Sequence, residues 1–389
     1  MKHLLLNAIL LVFFTTSFTT SGQTYKAFYG DIVSNVSSTN ILNDLTTFEN
    51  FGIKDVGSTA LTNAENWIIS RYQTLGYTNV ATQSFTYSAG TSNNIIVTKT
   101  GTLYPNTYVI IDAHYDTING PGTNDNGSGT VLLMEIARLL KDVDTEYSIK
   151  FIHFSGEEDG LIGSNYYVNN TVNPQNLDIK VVFNIDEVGG ISGQTNDTIV
   201  CEEDRSNPPA NNSQSSTMTA ILATTIGLYS NLNTEISFAY ASDYIPFENN
   251  GEIITGLYEK NETPYAHTAN DLLVNMDPNY VFEVTKGSLG ALMEFAGAFD
   301  TLGIDAQTLE SEISMYPNPS NGNINIAFKS NFDGNTTLFT LYDVLGKQVF
   351  QQNLIQQNTS VNLQALNKGM YMAVFQSGHT KTVKKLVLN

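Results

Sequence analysis

Cysteine is nearly absent from this chain. Its 389 residues include one, Cys201, so neither an intrachain disulfide nor a thiolate cage for zinc can form. Basic residues are scarce as well: 18 Lys plus Arg stand against 38 Asp plus Glu, for a net charge of −20. A surface that acidic repels phosphate backbones, which excludes a nucleic-acid partner, and it draws cations, metal ions and free amines among them. Long apolar runs are missing beyond the extreme N-terminus, so no later segment could span a bilayer, which needs about 20 apolar residues. What remains is still apolar enough to fold, at 41% hydrophobic with 20 Tyr and 20 Phe, too much for a disordered protein. At about 100–200 residues per domain the length allows two or three domains. Any metal site here is left to His, Asp and Glu.

The two ends differ from the middle. Met1-Lys2-His3 precedes an apolar run from Leu4 to Phe14, followed by a polar Thr/Ser stretch ending Ser21-Gly22-Gln23. A basic start, a short apolar run and small residues at the exit describe a secretory leader over residues 1–22, and hence an exported, soluble protein. From Ser314 to Asn389 there are six Lys and two acids, or +4, which leaves −24 for the remainder. That change of sign marks a domain boundary. Asn323–Phe328, Leu338–Tyr342 and Tyr371–Phe375 alternate apolar and polar residues between Gly/Asn turns, which predicts a small antiparallel sandwich over 314–389. Residues 301–313 then form a linker after a central domain at 23–300. The single His of the C-terminal stretch, His379, has no acidic cluster beside it, so nothing there looks catalytic.

Four motifs of that stretch occur in order: Pro317-Asn318-Pro319-Ser320-Asn321-Gly322, Leu341-Tyr342-Asp343-Val344-Leu345-Gly346-Lys347, Gly369-Met370-Tyr371 and Lys384-Lys385-Leu386-Val387. Together they resemble the type A sorting domain of the type IX secretion system. The resemblance implies recognition by the outer-membrane type IX machinery, and a secreted product that is released or held at the cell surface. The competing reading is an ordinary binding sandwich.

In the central region strand and helix patterns alternate. Asn63–Leu75, Thr130–Leu140 and Met218–Tyr229 carry helical spacing, whereas Tyr108–Ile111, Ile149–Phe154, Val181–Ile185 and Ile253–Leu257 are short apolar runs. Continuous apolar strands alternating with helices predict an α/β fold with a largely parallel central sheet flanked by helices. In such sheets sites collect just beyond the carboxyl ends of the strands. The residues found there are Asp112-Ala113-His114-Tyr115-Asp116 after the first run, Ser155-Gly156-Glu157-Glu158 after the second and Asp186-Glu187 after the third. His267 follows the fourth, and Asp125 opens the helix from within Asn124-Asp125-Asn126-Gly127-Ser128-Gly129.

Taken singly, each of these is weak: an Asp in a Gly/Asn loop is usually turn chemistry, and a Glu pair is usually solvated. Their joint order points to a metal site. Imidazoles and carboxylates suit zinc, and a carboxylate such as Asp125 can bridge two ions. Asp116, two residues after His114, could accept the other imidazole N–H. Glu157 and Glu158 are neighbours whose side chains point apart, so one can bind metal while the other handles protons. His153 lies inside an apolar run and reads as a buried strand residue.

The ordered set His-x-Asp, Asn-Asp-Asn-Gly-Ser-Gly, Phe-Ser-Gly-Glu-Glu-x-Gly, Ile-Asp-Glu and His-Thr-x-x-Asp resembles metallopeptidase family 28, the co-catalytic zinc aminopeptidases, over roughly residues 28–300. Carried over by position, the resemblance implies two zinc ions. Asp125 would bridge them, His114 and Asp186 complete one, and Glu158 and His267 the other. Glu157 would be the general base and Asp116 the orienter of His114. Tyr240 or Tyr265 would take the place of a tyrosine that touches the substrate. The substrates implied are peptide or protein N-termini, acted on by a monomer. Three rivals remain: a carboxypeptidase or dipeptidase of the same family, a glutaminyl cyclase, which shares the fold but keeps one zinc, and a binding module with a decayed site. A carboxypeptidase would want a basic group for the terminal carboxylate, and Arg205 is the only Arg after Arg138.

Overall fold

The computed structural model describes residues 23–389 apart from 208, 300–310, 330–336, 345, 378 and 379. The leader, most of the linker and His379 lie outside the described residues.

Local signals set the helix ends. Ser58 Oγ accepts the Leu61 N–H at the start of the helix Thr59–Leu75, and Gly76, at φ 92°, closes it in the left-handed conformation that glycine adopts without a Cβ penalty. Along it Leu61, Ala64, Ile68 and Tyr72 are buried at the spacing of one helical face, as the periodicity predicts. The helix Pro278–Ala296 starts with Asp277 accepting the Asn279 N–H and with Pro at its first turn, and it ends at Gly297.

Eight strands build the central sheet: β1 (Val80–Tyr87), β2 (Gly90–Lys99), β3 (Tyr104–His114), β4 (Tyr147–Phe154), β5 (Asp178–Ile185), β6 (Thr198–Glu203), β7 (Asn233–Phe238) and β8 (Ile254–Glu259). Their spatial order is β1-β2-β4-β3-β5-β8-β6-β7. The middle four, β4-β3-β5-β8, are parallel throughout, the β1-β2-β4 margin is antiparallel, and the other margin is antiparallel at β8-β6 and parallel at β6-β7. The four apolar runs of the sequence are those four inner strands. The margins were not legible because their exposed faces interrupt the apolar signal: β7 has no fully buried residue.

The four inner strands are buried on both sides. Val109, Ile111, Phe151 and Phe183 join the helices Ser38–Asn50, Thr59–Leu75, Gly127–Leu140, Asn212–Tyr229 and Pro278–Ala296 in the larger core. Ile110, Ile152, Val182 and Ile254 face a second cluster with Tyr167, Tyr244 and Phe247. Each such side chain contributes about 1.5–3 kcal/mol on burial, and strands so covered cannot shift register. Ile111 stands beside Phe151 and Phe183 in the ladder, so the ends of β3, β4 and β5 fall level at one edge. His153 is fully buried in β4 and its Nε2 meets Tyr72 Oη at 2.9 Å.

The strands Ile313–Tyr316, Asn323–Phe328 and Asn358–Asn362 form a three-stranded antiparallel sheet, and Thr337–Asp343, Gln348–Leu354, Gly369–Ser377 and Thr380–Leu388 form a four-stranded one. Ile324, Ile326, Phe339, Phe375 and Leu386 share one core, the sandwich that the alternation predicts. Asn318 links two of the sequence motifs: its Nδ2 donates to Lys385 O at 2.6 Å and its Oδ1 accepts Val387 N–H at 3.0 Å. Among the described residues no helix is long and apolar enough to cross a membrane.

Candidate metal centre

Three level strand ends bring the ligand-type residues together. His114 ends β3, Glu157 and Glu158 sit on the turn after β4, and Asp186 follows β5. Asp125 arrives on the loop entering the helix Gly127–Leu140. Asn126 caps that helix by accepting Gly129 N–H at 3.0 Å, while its Nδ2 donates to Ile185 O at 2.8 Å. The glycines permit the close approach, since a Cβ at Gly129 would stand 2.6 Å from Ile185 O.

Asp125 occupies the middle. Its Oδ1 is 3.3 Å from His114 Nε2 and its Oδ2 is 3.0 Å from His267 Nε2. On the first side Asp186 Oδ1 is 3.3 Å and Glu157 Oε2 3.9 Å from His114 Nε2. On the second, Glu158 Oε2 is 2.8 Å from His267 Nε2. The adjacent glutamates thus serve opposite sides. All six residues that the sequence analysis brings to a metal site, including Glu157, lie in this one cluster.

Asp116 lies behind His114, in a different way from the one its spacing suggests. His114 Nδ1 meets the backbone carbonyl of Asp116 at 3.1 Å, and the Asp116 carboxylate is 3.8 Å away. That carboxylate accepts the N–H groups of Glu157 and Glu158 instead, at 3.3 Å each, and so braces the turn that carries both. Two amides aimed at one carboxylate outcompete a single more distant imidazole. Tyr240 stands beside Tyr258 near the cluster and is 59% exposed. For Tyr265 the structure gives turn contacts through its backbone, with its carbonyl accepting from Thr268.

The electrostatics are those of a site short of positive charge. Burial, reinforced by Asp186, Asp116 and Asp125 against the pull of His114, pushes Glu157 up to about 8. Burial and then Asp125 push Glu158 up to about 10. Burial followed by Asp125 and Asp186 does the same to Glu187. For Asp125 burial acts in the same sense, but hydrogen bonds from both imidazoles outweigh it and hold the carboxyl below its usual range. Burial disfavours the His114 cation, yet Asp186 and Glu157 prevail and raise it.

The donor set fits zinc. His114, Glu157 and Asp186 form one trio whose ligand atoms lie within 4.8 Å of one another, and His114, Asp125 and Glu158 form a second. Glu158 Oε1 and Asp186 Oδ1 are buried with no hydrogen-bond partner. Unpaired buried carboxylate oxygens beside imidazoles are what a borderline cation takes up.

Residues outside the ligand-type set hold the loops. Asp271 accepts the N–H groups of Asn124 and Asp125 at 2.8 and 3.0 Å, tying the Asp125 loop to the loop of His267. Ser242 Oγ donates to Asp186 Oδ2 at 2.7 Å. Glu259, at the end of β8, accepts from Asn124 Nδ2, Gly190 N and Thr263 N at 3.0, 2.6 and 2.7 Å. One buried carboxylate therefore fastens the loops that follow or carry Asp125, Asp186 and His267. A lone Glu closing an apolar strand gives no local signal of that role.

A sheet-edge cluster of imidazoles and carboxylates on an α/β scaffold is an arrangement suited to metal-assisted hydrolysis. The chain belongs to peptidase family M28, whose family model matches residues 94–291, and residues 314–389 match the secretion system C-terminal sorting domain. A probable leucine aminopeptidase of Arthroderma otae is 27% identical over 290 residues, covering 69% of this chain and 75% of its own. Aminopeptidase YwaD of Bacillus subtilis is 36% identical over 188 residues, 46% of this chain and 40% of that protein. Among solved structures, the LapA aminopeptidase of Legionella pneumophila superposes with a TM-score of 0.62 at 20% identity, over 76% of this chain and 81% of its own. A glutaminyl cyclase from Macrostomum lignano gives 0.61 at 15% identity, over 72% and 94%. The scaffold is thus common to two reaction classes, and the choice between them falls to the site.

Proposed function

We propose that this protein is an exported zinc-dependent aminopeptidase that removes residues from peptide N-termini, using two zinc ions. The observation that carries it is Asp125, whose two oxygens face His114 and His267 in opposite directions. His114 and Asp186 would hold one ion, Glu158 and His267 the other, and Asp125 both. Zinc supplies Lewis-acid polarisation of a carbonyl and acidifies water.

The chain's own residues do the rest. Glu157, 3.9 Å from His114 Nε2, is the member of the His114 trio that we assign to protons rather than to metal, and its buried carboxyl has its proton affinity raised toward neutrality. It takes the proton of the attacking water and returns it to the leaving amine. Asp116, through the two amides it accepts, fixes where Glu157 stands. Tyr240 and Tyr265 are the candidates to meet the substrate. The concentration of carboxylates suits a free α-ammonium. A terminal carboxylate would need a cation, and Arg205 is already paired with Glu203 at 2.8 Å. A glutaminyl cyclase would need one ion, and the second imidazole, His267, beside Asp125 and Glu158 supports a second. The C-terminal sandwich is read as the tag that the type IX machinery recognises.

Leucine p-nitroanilide, its N-acetyl derivative, a C-terminally free blocked dipeptide and an N-terminal glutaminyl peptide separate the readings. Hydrolysis of the first and not of the two blocked substrates, abolished by a chelator and restored by Zn²⁺ to two ions per chain, is the expected result. Full activity with only trace metal, or cyclisation of the glutaminyl peptide without hydrolysis, overturns it.

A further inference from the structure

We infer that Glu187, flanked by Tyr240 and Tyr258, is a specificity-determining residue that receives the side chain of a basic N-terminal residue, lysine or arginine. The inference rests on the aminopeptidase reading and goes beyond it by naming the substrate class.

Glu187 follows Asp186 directly, yet the two carboxylates go to different places. The Glu187 backbone sits at φ 43°, in the left-handed region that residues with a Cβ seldom occupy. Its carbonyl is held there by the Glu259 N–H at 2.9 Å. Asp186 consequently serves His114 and Ser242, and Glu187 turns to the Tyr258 hydroxyl, which donates to its Oε1 at 3.2 Å. Among the described residues Glu187 has no ion pair with Lys, Arg or His. The cations of the surrounding strands are committed elsewhere, Lys260 to Glu235 at 2.8 Å and Arg205 to Glu203 at 2.8 Å. The charges that bear on Glu187 are acidic, from Asp125, Asp186 and Glu259, and Glu202 and Glu262 act on Tyr240 beside it.

The walls suit the rest of such a ligand. Tyr240 is 59% exposed, neighbours Tyr258 and lies 6.1 Å from Phe238 between ring centroids. A lysine or arginine side chain is an apolar stem with a cation at its tip. Aromatic rings cover the stem and attract the tip, and the Glu187 carboxyl group beside the Tyr258 hydroxyl accepts the N–H groups of the tip. A leucine side chain would strip water from Glu187 and give nothing back. The α-ammonium does not account for Glu187, because every free N-terminus has one and it cannot discriminate among residues.

The test compares kcat/KM of the zinc-loaded full-length enzyme on lysyl against norleucyl p-nitroanilide, and on arginyl against citrullyl, pairs that differ in the charge at the tip. A wild-type preference for the charged member of about 10-fold or more is expected, the size of one hydrogen-bonded charged contact. In Glu187→Gln both ratios should fall to near one, and Glu187→Asp should retain part of them. Wild-type ratios near one overturn the inference without reference to any variant, as do ratios that survive in Glu187→Gln. Leucine hydrolysis with no basic preference removes this proposal alone. Failure to cut any N-terminal residue removes the aminopeptidase reading with it.

Discussion

Glu259 Oε2 accepts Asn124 Nδ2 at 3.0 Å, although the two residues are 135 positions apart and neither lies among the ligand-type side chains. Through that contact and its bonds to Gly190 and Thr263, Glu259 fixes the relative position of three loops. For Glu259→Gln, which loses one acceptor and adds a buried donor, zinc affinity should fall about 10–100-fold, the usual cost of losing a partner behind the ligands. Competition with a chromophoric chelator measures this. Unchanged affinity would show that the loops hold themselves.

The adjacent glutamates should separate cleanly. Glu157→Gln should keep its metal and fold but lose about 10²–10⁴-fold in kcat, as for a missing general base. Glu158→Gln should chiefly lose metal. Metal content and steady-state kinetics on the two variants decide, and exchanged phenotypes would mean that the roles are reversed.

His153 should leave a mark on stability against pH. Burial lowers its pKa to about 3, whereas an unfolded histidine titrates near ~6.5. Between those values the unfolded chain binds the proton and the folded chain does not. The contribution is therefore complete above pH ~6.5 and is lost as pH falls toward ~3, at roughly 1.4 kcal/mol per unit. Unfolding free energies from urea titrations of wild type and His153→Gln should diverge across that window by roughly a few kcal/mol. Parallel curves would show that another group carries the acid sensitivity.

Removal of residues 314–389 should leave peptidase activity unchanged and block passage through the outer membrane. The region has its own core, and among its described residues none belongs to the metal-type cluster. Both lengths expressed in a host with type IX secretion, with medium and periplasm assayed, test it. Equal amounts in the medium would rule out the sorting role. Normal export with poorer activity on large proteins would favour a substrate-binding sandwich.

The inner strands were legible because burial on both faces leaves unbroken apolar runs, as in Ile149–Phe154. The outer strands were not, because β7 carries Glu235, Ile236 and Phe238 all exposed and so shows no clean alternation. Most of the metal-type residues stand at or just beyond a strand end or before a helix, where chemistry shows in the sequence, whereas His267 lies within the loop after β8. Asp116 was placed correctly but not its partner: a spacing of two suggests an imidazole–carboxylate contact, and the competing amides of Glu157 and Glu158 come from a different strand.

By itself the amino-acid sequence determined the parallel heart of the sheet and the antiparallel strands of the C-terminal region, since these follow from local periodicity, and it brought forward the ligand-type residues from the chemistry placed at element ends. Only the tertiary structure decided that Asp116 braces a turn and that Glu259 and Asp271 fasten loops far apart in the chain. The physical reason is that hydrogen bonds between loops depend on strand order and register, and these are fixed when two apolar faces are buried at once.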